Sequence, residues 1–119
     1  MIKFLTIFTL IFLMVQNAHA DGKQLSNYCQ LALDIGAGID KDKIESMHAG
    51  YCIGFIGGIT DLNTIIKAGS GTGLFCIPTD IGVEDKIKTV VSYIETNTKS
   101  QSEPNAGAAL AAFIKAYPC

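Results

Sequence analysis

Four cysteines, one histidine beyond the N-terminal twenty residues and the carboxylates around it are the side chains that could support chemistry. Cys29, Cys52, Cys76 and Cys119 are separated by 23, 24 and 43 residues. Structural zinc sites bring their ligands in closely spaced C-x(2–4)-C pairs. This spacing has none, so no metal site is expected. His48 has Glu45 three residues before it and Asp61 thirteen after it. On one helix Asp61 would lie about 20 Å away along the axis, at 1.5 Å per residue, and could not orient the imidazole. Glu45 and His48 form an ordinary helical i, i+3 surface pair. The run DKDKIE (40–45) lacks the glycine and the ligand order of a calcium loop. AGSGTG (68–73) has neither the spacing nor the following G-K-[ST] of a phosphate loop. No nucleophile, base and orienter come together. We therefore expect no catalytic residue, no cofactor and no enzymatic activity.

The cysteines make better sense as bridges once the compartment is considered. MIKFLTIFTLIFLMVQNAHA has a basic start at Lys3, an apolar run over 4–15 and Ala18-His19-Ala20 before Asp21. That order is the pattern of a cleaved secretory signal peptide over residues 1–20. The apolar run is short of the roughly 20 residues that a spanning helix needs, so no membrane attachment is expected after cleavage. Residues 21–119 then form one small domain, periplasmic in a cell with an outer membrane. An even number of cysteines in a short exported chain reads as two disulfides. The chain has no arginine, and loss of Lys3 takes its formal net charge from −2 to −3. Nucleic acid, which requires clustered basic residues, is not an expected partner.

Four helical stretches position these residues. The first runs from about Lys23 to Ile35, with Leu25, Tyr28, Cys29, Ala32 and Ile35 on one face and Gly36 and Gly38 as its stop. The second runs from about Lys43 to Lys67, with Ile44, Met47, Tyr51, Phe55, Leu62, Ile65 and Ile66 expected to supply its apolar contacts. It carries Gly50, Gly54 and Gly58 at four-residue steps, each costing about 1 kcal/mol in helix propensity relative to alanine. Such a stripe lets another backbone approach closely, within the chain or across a homodimer seam. The third runs from about Gly82 to Asn97, with Val83, Ile87, Val90, Val91 and Ile94 apolar, although VVSYIET is locally strand-like. The polar turn TNTKSQSEPN follows, with Ser102 as cap and Pro104 in the first turn of the fourth helix. That helix bears Leu110, Phe113, Ile114 and Tyr117 on one side; its alanines make it a slim mate for the glycine stripe. Pro118 stops it.

The expected fold class is all-α, a small four-helix domain stapled by two disulfides. Cys76 precedes the third helix and Cys119 follows the fourth, so a helical hairpin would bring them together. Cys29 and Cys52 sit at similar distances from the turn near Gly38. The expected pairing is Cys29–Cys52 and Cys76–Cys119, each contributing about 3–4 kcal/mol in the chain-entropy description. The turn Lys99, Ser100, Gln101, Ser102 and Glu103 presents hydroxyl, amide and carboxylate groups. It is either a solvated connector or a protruding plug for a partner's groove.

YCIGFIGGITD, then FCIPTDIGVEDKIKTVVSYIE, then an alanine-rich helix ending AYPC, resembles the type VI secretion amidase immunity (Tai-like) family of periplasmic proteins. The resemblance covers roughly residues 29–119 and departs in the turn TNTKSQSEPN. It implies a small helical fold, dimer formation and a protein partner: a peptidoglycan amidase effector, bound and inhibited to protect the producing cell. The other readings are a periplasmic helical binding or chaperone-like protein with no toxin partner, and a carrier of small apolar ligands.

Overall fold

The computed structural model describes residues 20–119. The predicted signal peptide thus lies, except for Ala20, outside the described residues. Five helices follow one another: α1 (Gly22–Gly36), α2 (Lys43–Ser70), α3 (Val83–Thr96), α4 (Thr98–Ser102) and α5 (Asn105–Ala116). The described residues contain no strand, and the architecture is all-α with two disulfides.

Each start has a local cause. The Asp21 carboxylate accepts from the Gln24 N–H at 2.8 Å and so caps α1. Asp42 and Glu45 form a reciprocal capping box that opens α2. Such caps contribute about 1 kcal/mol each. Gly71, at φ +83°, ends α2 in the left-handed conformation and donates its N–H to the Lys67 carbonyl. α2 therefore runs three residues beyond the expected Lys67. The strand-like run VVSYIET is helical because Ile87, Val90, Val91 and Ile94 all fall on the buried face of α3. Tertiary burial outweighs local propensity there.

Two expectations for the last hairpin need correction. The turn before the fourth expected helix contains a helix of its own, α4, a single short segment over Thr98–Ser102. Ser102 does not cap the helix that follows: its hydroxyl donates back to the Lys99 carbonyl at 3.1 Å. Pro104 occupies the cap position, and the helix begins at Asn105. The reason lies upstream, where the Gly22 N–H donates to the Glu103 carbonyl at 2.9 Å and draws the 103–104 backbone onto α1 in an extended form.

The core is one cluster. Leu25, Cys29 and Ala32 of α1 meet Ala49, Cys52, Ile56 and Ile59 of α2, the four apolar residues of α3, and Ala108, Ala109, Ala112 and Phe113 of α5. Phe75, from the loop before α3, is buried and packs on Phe113 with ring centroids 5.0 Å apart. The alanines of α5 face α1 and α3, and α5 barely meets α2. Their role as mate to the glycine stripe is thus overturned. They serve instead to let α5 settle against the start of α1, where a Cβ on Gly22 would lie 3.1 Å from that of Ala108.

Candidate functional site

Five features could carry function, and only some of them follow the sequence expectation. The disulfides do: Cys29–Cys52 joins α1 to α2, and Cys76–Cys119 ties the C-terminus to the loop before α3, each with Cα atoms 5.0 Å apart. No thiol remains free among the described residues.

The histidine and its neighbours are engaged structurally. His48 stacks on Tyr28 across the α1–α2 interface, with ring centroids 4.1 Å apart and planes 13° apart. Glu45 accepts from the Asp42 N–H at 3.0 Å, as part of the capping box. Tyr51 lies edge-on to Tyr28 and stacks on Phe55. Its hydroxyl accepts from Asn105 Nδ2 at 2.8 Å. These rings bind three helices together. No group of three or more His, Cys, Asp or Glu side chains is arranged to hold a metal among the described residues.

The segment Lys99–Glu103 is docked rather than protruding. Ser100 is only 3% exposed. Its carbonyl lies where a Cβ on Gly22 would fall, 2.0 Å from that position. Gln101 Nε2 donates to the Ile94 carbonyl at 3.4 Å, and Lys99 Nζ lies 3.8 Å from Glu103 Oε1. Lys99 alone in this segment has a side chain almost wholly in solvent, at 90%. Close backbone approach is the reason: glycine at position 22 admits the α4 backbone, and α4 is pulled in.

The glycine stripe of α2 shows the reverse. Nothing lies within 4 Å of a Cβ built on Gly50, Gly54 or Gly58. The expected close packing within the chain is therefore corrected, because α5 turns its small face elsewhere. The stripe is flanked along its length by exposed Ile44, Met47, Tyr51, Leu62 and Ile65. With Gly54 and Gly58 between Tyr51 and Leu62, these residues follow one another at three- and four-residue steps, on a different side of α2 from buried Ala49, Cys52, Ile56 and Ile59. By length and composition α2 is the one helix among the described residues apolar enough to cross a membrane, and only 17% of its most apolar window is buried. This apolar face is left uncovered among the described residues.

The fifth feature has no counterpart in the sequence expectation. Asn63, on the buried face of α2, fastens the loop before α3. Its Nδ2 donates to the Phe75 carbonyl at 2.9 Å, and its Oδ1 accepts from the Leu74 and Phe75 N–H groups at 2.7 and 3.3 Å. Its position four residues after Ile59 was the available signal: a polar side chain in register with Cys52, Ile56 and Ile59 needs a buried partner. Beneath the loop lies a cleft of about 210 Å³, lined by Thr60, Thr64, Lys67, Ile77, Pro78 and Lys86 among others.

Surface electrostatics add one clasp. Lys41 Nζ is 2.9 Å from Asp34 Oδ2, across the α1–α2 turn. The Lys41 ammonium, and then the Gln30 amide, hold the Asp34 carboxyl below its ordinary 3.8. Asp34 in turn raises Lys41 above 10.5.

Neither a curated protein nor a solved structure matches the chain. A family profile does. It describes the Rap1a immunity proteins and covers residues 21–119, the entire disulfide-stapled helical domain, and the chain belongs to that family.

Proposed function

We propose that this is an exported immunity protein that binds and blocks a peptidoglycan amidase delivered by type VI secretion, and so protects the producing cell in its periplasm. The observation that carries the reading is the match of the whole domain to an immunity family. A signal-like N-terminus and two disulfides agree with an oxidising compartment. Inhibition requires no catalytic group, only a rigid surface complementary to the toxin. Two staples supply that rigidity and reduce the ordering cost of binding. The test is protection: if an adjacent gene encodes a secreted cell-wall hydrolase, cells that express it with periplasmic targeting should lyse, and co-expression of this protein should prevent it. Lysis that proceeds unchanged would remove the immunity reading.

The α2 stripe supports a homodimer as the working form. Ile44 and Ile65, Met47 and Leu62, and Tyr51 and Gly58 are each equidistant in sequence from the point between Gly54 and Phe55. A two-fold interface must present the same patch from both copies, so that residue i meets j while j meets i. Antiparallel crossing of two α2 helices at Gly54 would satisfy this. It would set each Tyr51 ring on the other copy's Gly58 and fill the glycine trough that the chain itself leaves empty. The same exposed stripe is what a chaperone-like protein would offer to unfolded clients. Concentration-dependent sedimentation separates the two: a discrete dimer supports the seam, whereas a monomer that suppresses aggregation of unrelated proteins supports the alternative.

A further inference from the structure

The loop between α2 and α3 is held more firmly than a connection needs to be. Phe75 is buried in the core, and Asn63 takes three hydrogen bonds to 74–75. The Cys76 N–H donates to the Tyr117 carbonyl at 2.7 Å, and Cys76 is bridged to Cys119. The Ile81 N–H donates back to the Pro78 carbonyl at 3.2 Å. Loops are ordinarily the mobile part of a fold, and loops positioned by a rigid scaffold are where binding concentrates. Leu74 and Val83 remain exposed at either end of this one.

The chemistry of the cleft under the loop narrows what it can take. The Thr60 hydroxyl donates to the Gly57 carbonyl, and the Thr64 hydroxyl donates to the Thr60 carbonyl. Both hydrogen-bonding atoms of the Asn63 side chain face the loop backbone. The charged residues lining the cleft are Lys67 and Lys86, and neither joins an ion pair among the described residues. Asp80, Glu84 and Asp85 are near in sequence but do not line it; Glu84 is paired with Lys88 at 2.6 Å. A domain with net negative charge thus carries one recess with two cations and no anion. The rest of its lining is mixed: Thr60, Asn63, Thr64 and Thr79 are polar, and Ile77, Pro78 and Ile81 add an aliphatic patch. Two lysines beside polar groups and a small aliphatic patch suit a carboxylate on a short methylene stem.

We propose that this cleft is a docking recess for a glutamate side chain presented by a protein partner, and that the 72–82 loop is the face that meets the effector. The second half rests on the immunity reading; the first does not. The experiment follows backbone amide shifts of the exported protein during titration with N-acetylglutamate amide, against the neutral N-acetylglutamine amide. Saturable shifts in the millimolar range, confined to residues lining the cleft and absent with the glutamine compound, are expected. Replacing Lys67 and Lys86 with alanine should weaken that binding by about tenfold or more, since each charge-assisted contact is lost, with the melting temperature unchanged. Equal shifts with both compounds, or shifts spread over all the surface lysines, would overturn the recess. In a second arm, K67E/K86E is tested against a neighbouring effector that the wild type binds: retained affinity would overturn the effector face. Failure of the wild type to bind any such effector would remove the immunity reading and with it the effector face, leaving the glutamate titration to decide the recess.

Discussion

The two disulfides make the same kind of bond in opposite surroundings. Cys29–Cys52 is fully buried at 0% exposure, inside the α1–α2 contact, where Leu25, Ala32, Ala49 and Ile56 already pack. Cys76–Cys119 lies at the surface, and the segments it joins have Phe75 and Tyr117 as their main apolar anchors. The first bridge reinforces packing that exists. The second substitutes for packing that a chain end and a loop cannot supply. Loop-closure entropy alone ranks the second slightly higher, since it spans 43 residues against 23. Burial reverses that order, because loss of the first also leaves a void in the core.

Removal of the buried bridge should therefore have the largest effect. C29A/C52A is expected to lose about 3–5 kcal/mol, combining the cross-link with the cavity. Chemical denaturation of residues 21–119 checks this. The exposed bridge comes second: C76A/C119A should lose about 2–4 kcal/mol. Hydrogen exchange should show that loss concentrated in 73–82 and the end of α5, with the α1–α2 amides still protected. Mild reductant should open this bridge first, since its sulfurs are accessible. Equal rates of reduction would break the distinction.

A smaller effect sharpens the same contrast between tight and open places. Gly22→Ala forces a methyl group onto the Ser100 carbonyl and should cost about 1–3 kcal/mol, despite alanine's better helix propensity. Gly54→Ala meets nothing within 4 Å and should stabilise the monomer by up to about 1 kcal/mol. Thermal melts of the two variants, which should move in opposite directions, are the check. The smallest effect concerns Asp34. Its lowered folded pKa means that its contribution is present above about pH 4 and is lost as pH falls through the folded value. Asp34→Asn should therefore lower the melting temperature slightly at neutral pH, and the difference should vanish in acid. The pair lies at the surface, so high salt should shrink the effect further.

What the sequence revealed follows from the range of the interactions involved. Helix placement and disulfide pairing were legible because amphipathic periodicity and hairpin geometry are local rules. The glycine stripe was legible as a smooth surface, but a pattern on one helix says nothing of what covers it. The true close approach, at Gly22, had no pattern to announce it: a single glycine after a cap residue is unremarkable until the Ser100 carbonyl comes to rest beside it. The helix α4 was missed because TKSQS carries no apolar period. Its order derives from the Ser100 burial and the Gly22–Glu103 hydrogen bond, both long-range. Asn63 could have been found, since a polar residue on a buried stripe calls for a partner. The two lysines of the cleft could not, since only the fold brings α2 and α3 together around it.

The most direct measurement for the central claim is a titration of residues 21–119 against a cell-wall amidase encoded by an adjacent gene, read as cleavage of purified peptidoglycan. The account predicts a linear loss of cleavage that reaches zero at equimolar protein, with activity unaffected by an unrelated disulfide-bonded helical protein. Cleavage that continues undiminished at excess protein would contradict it.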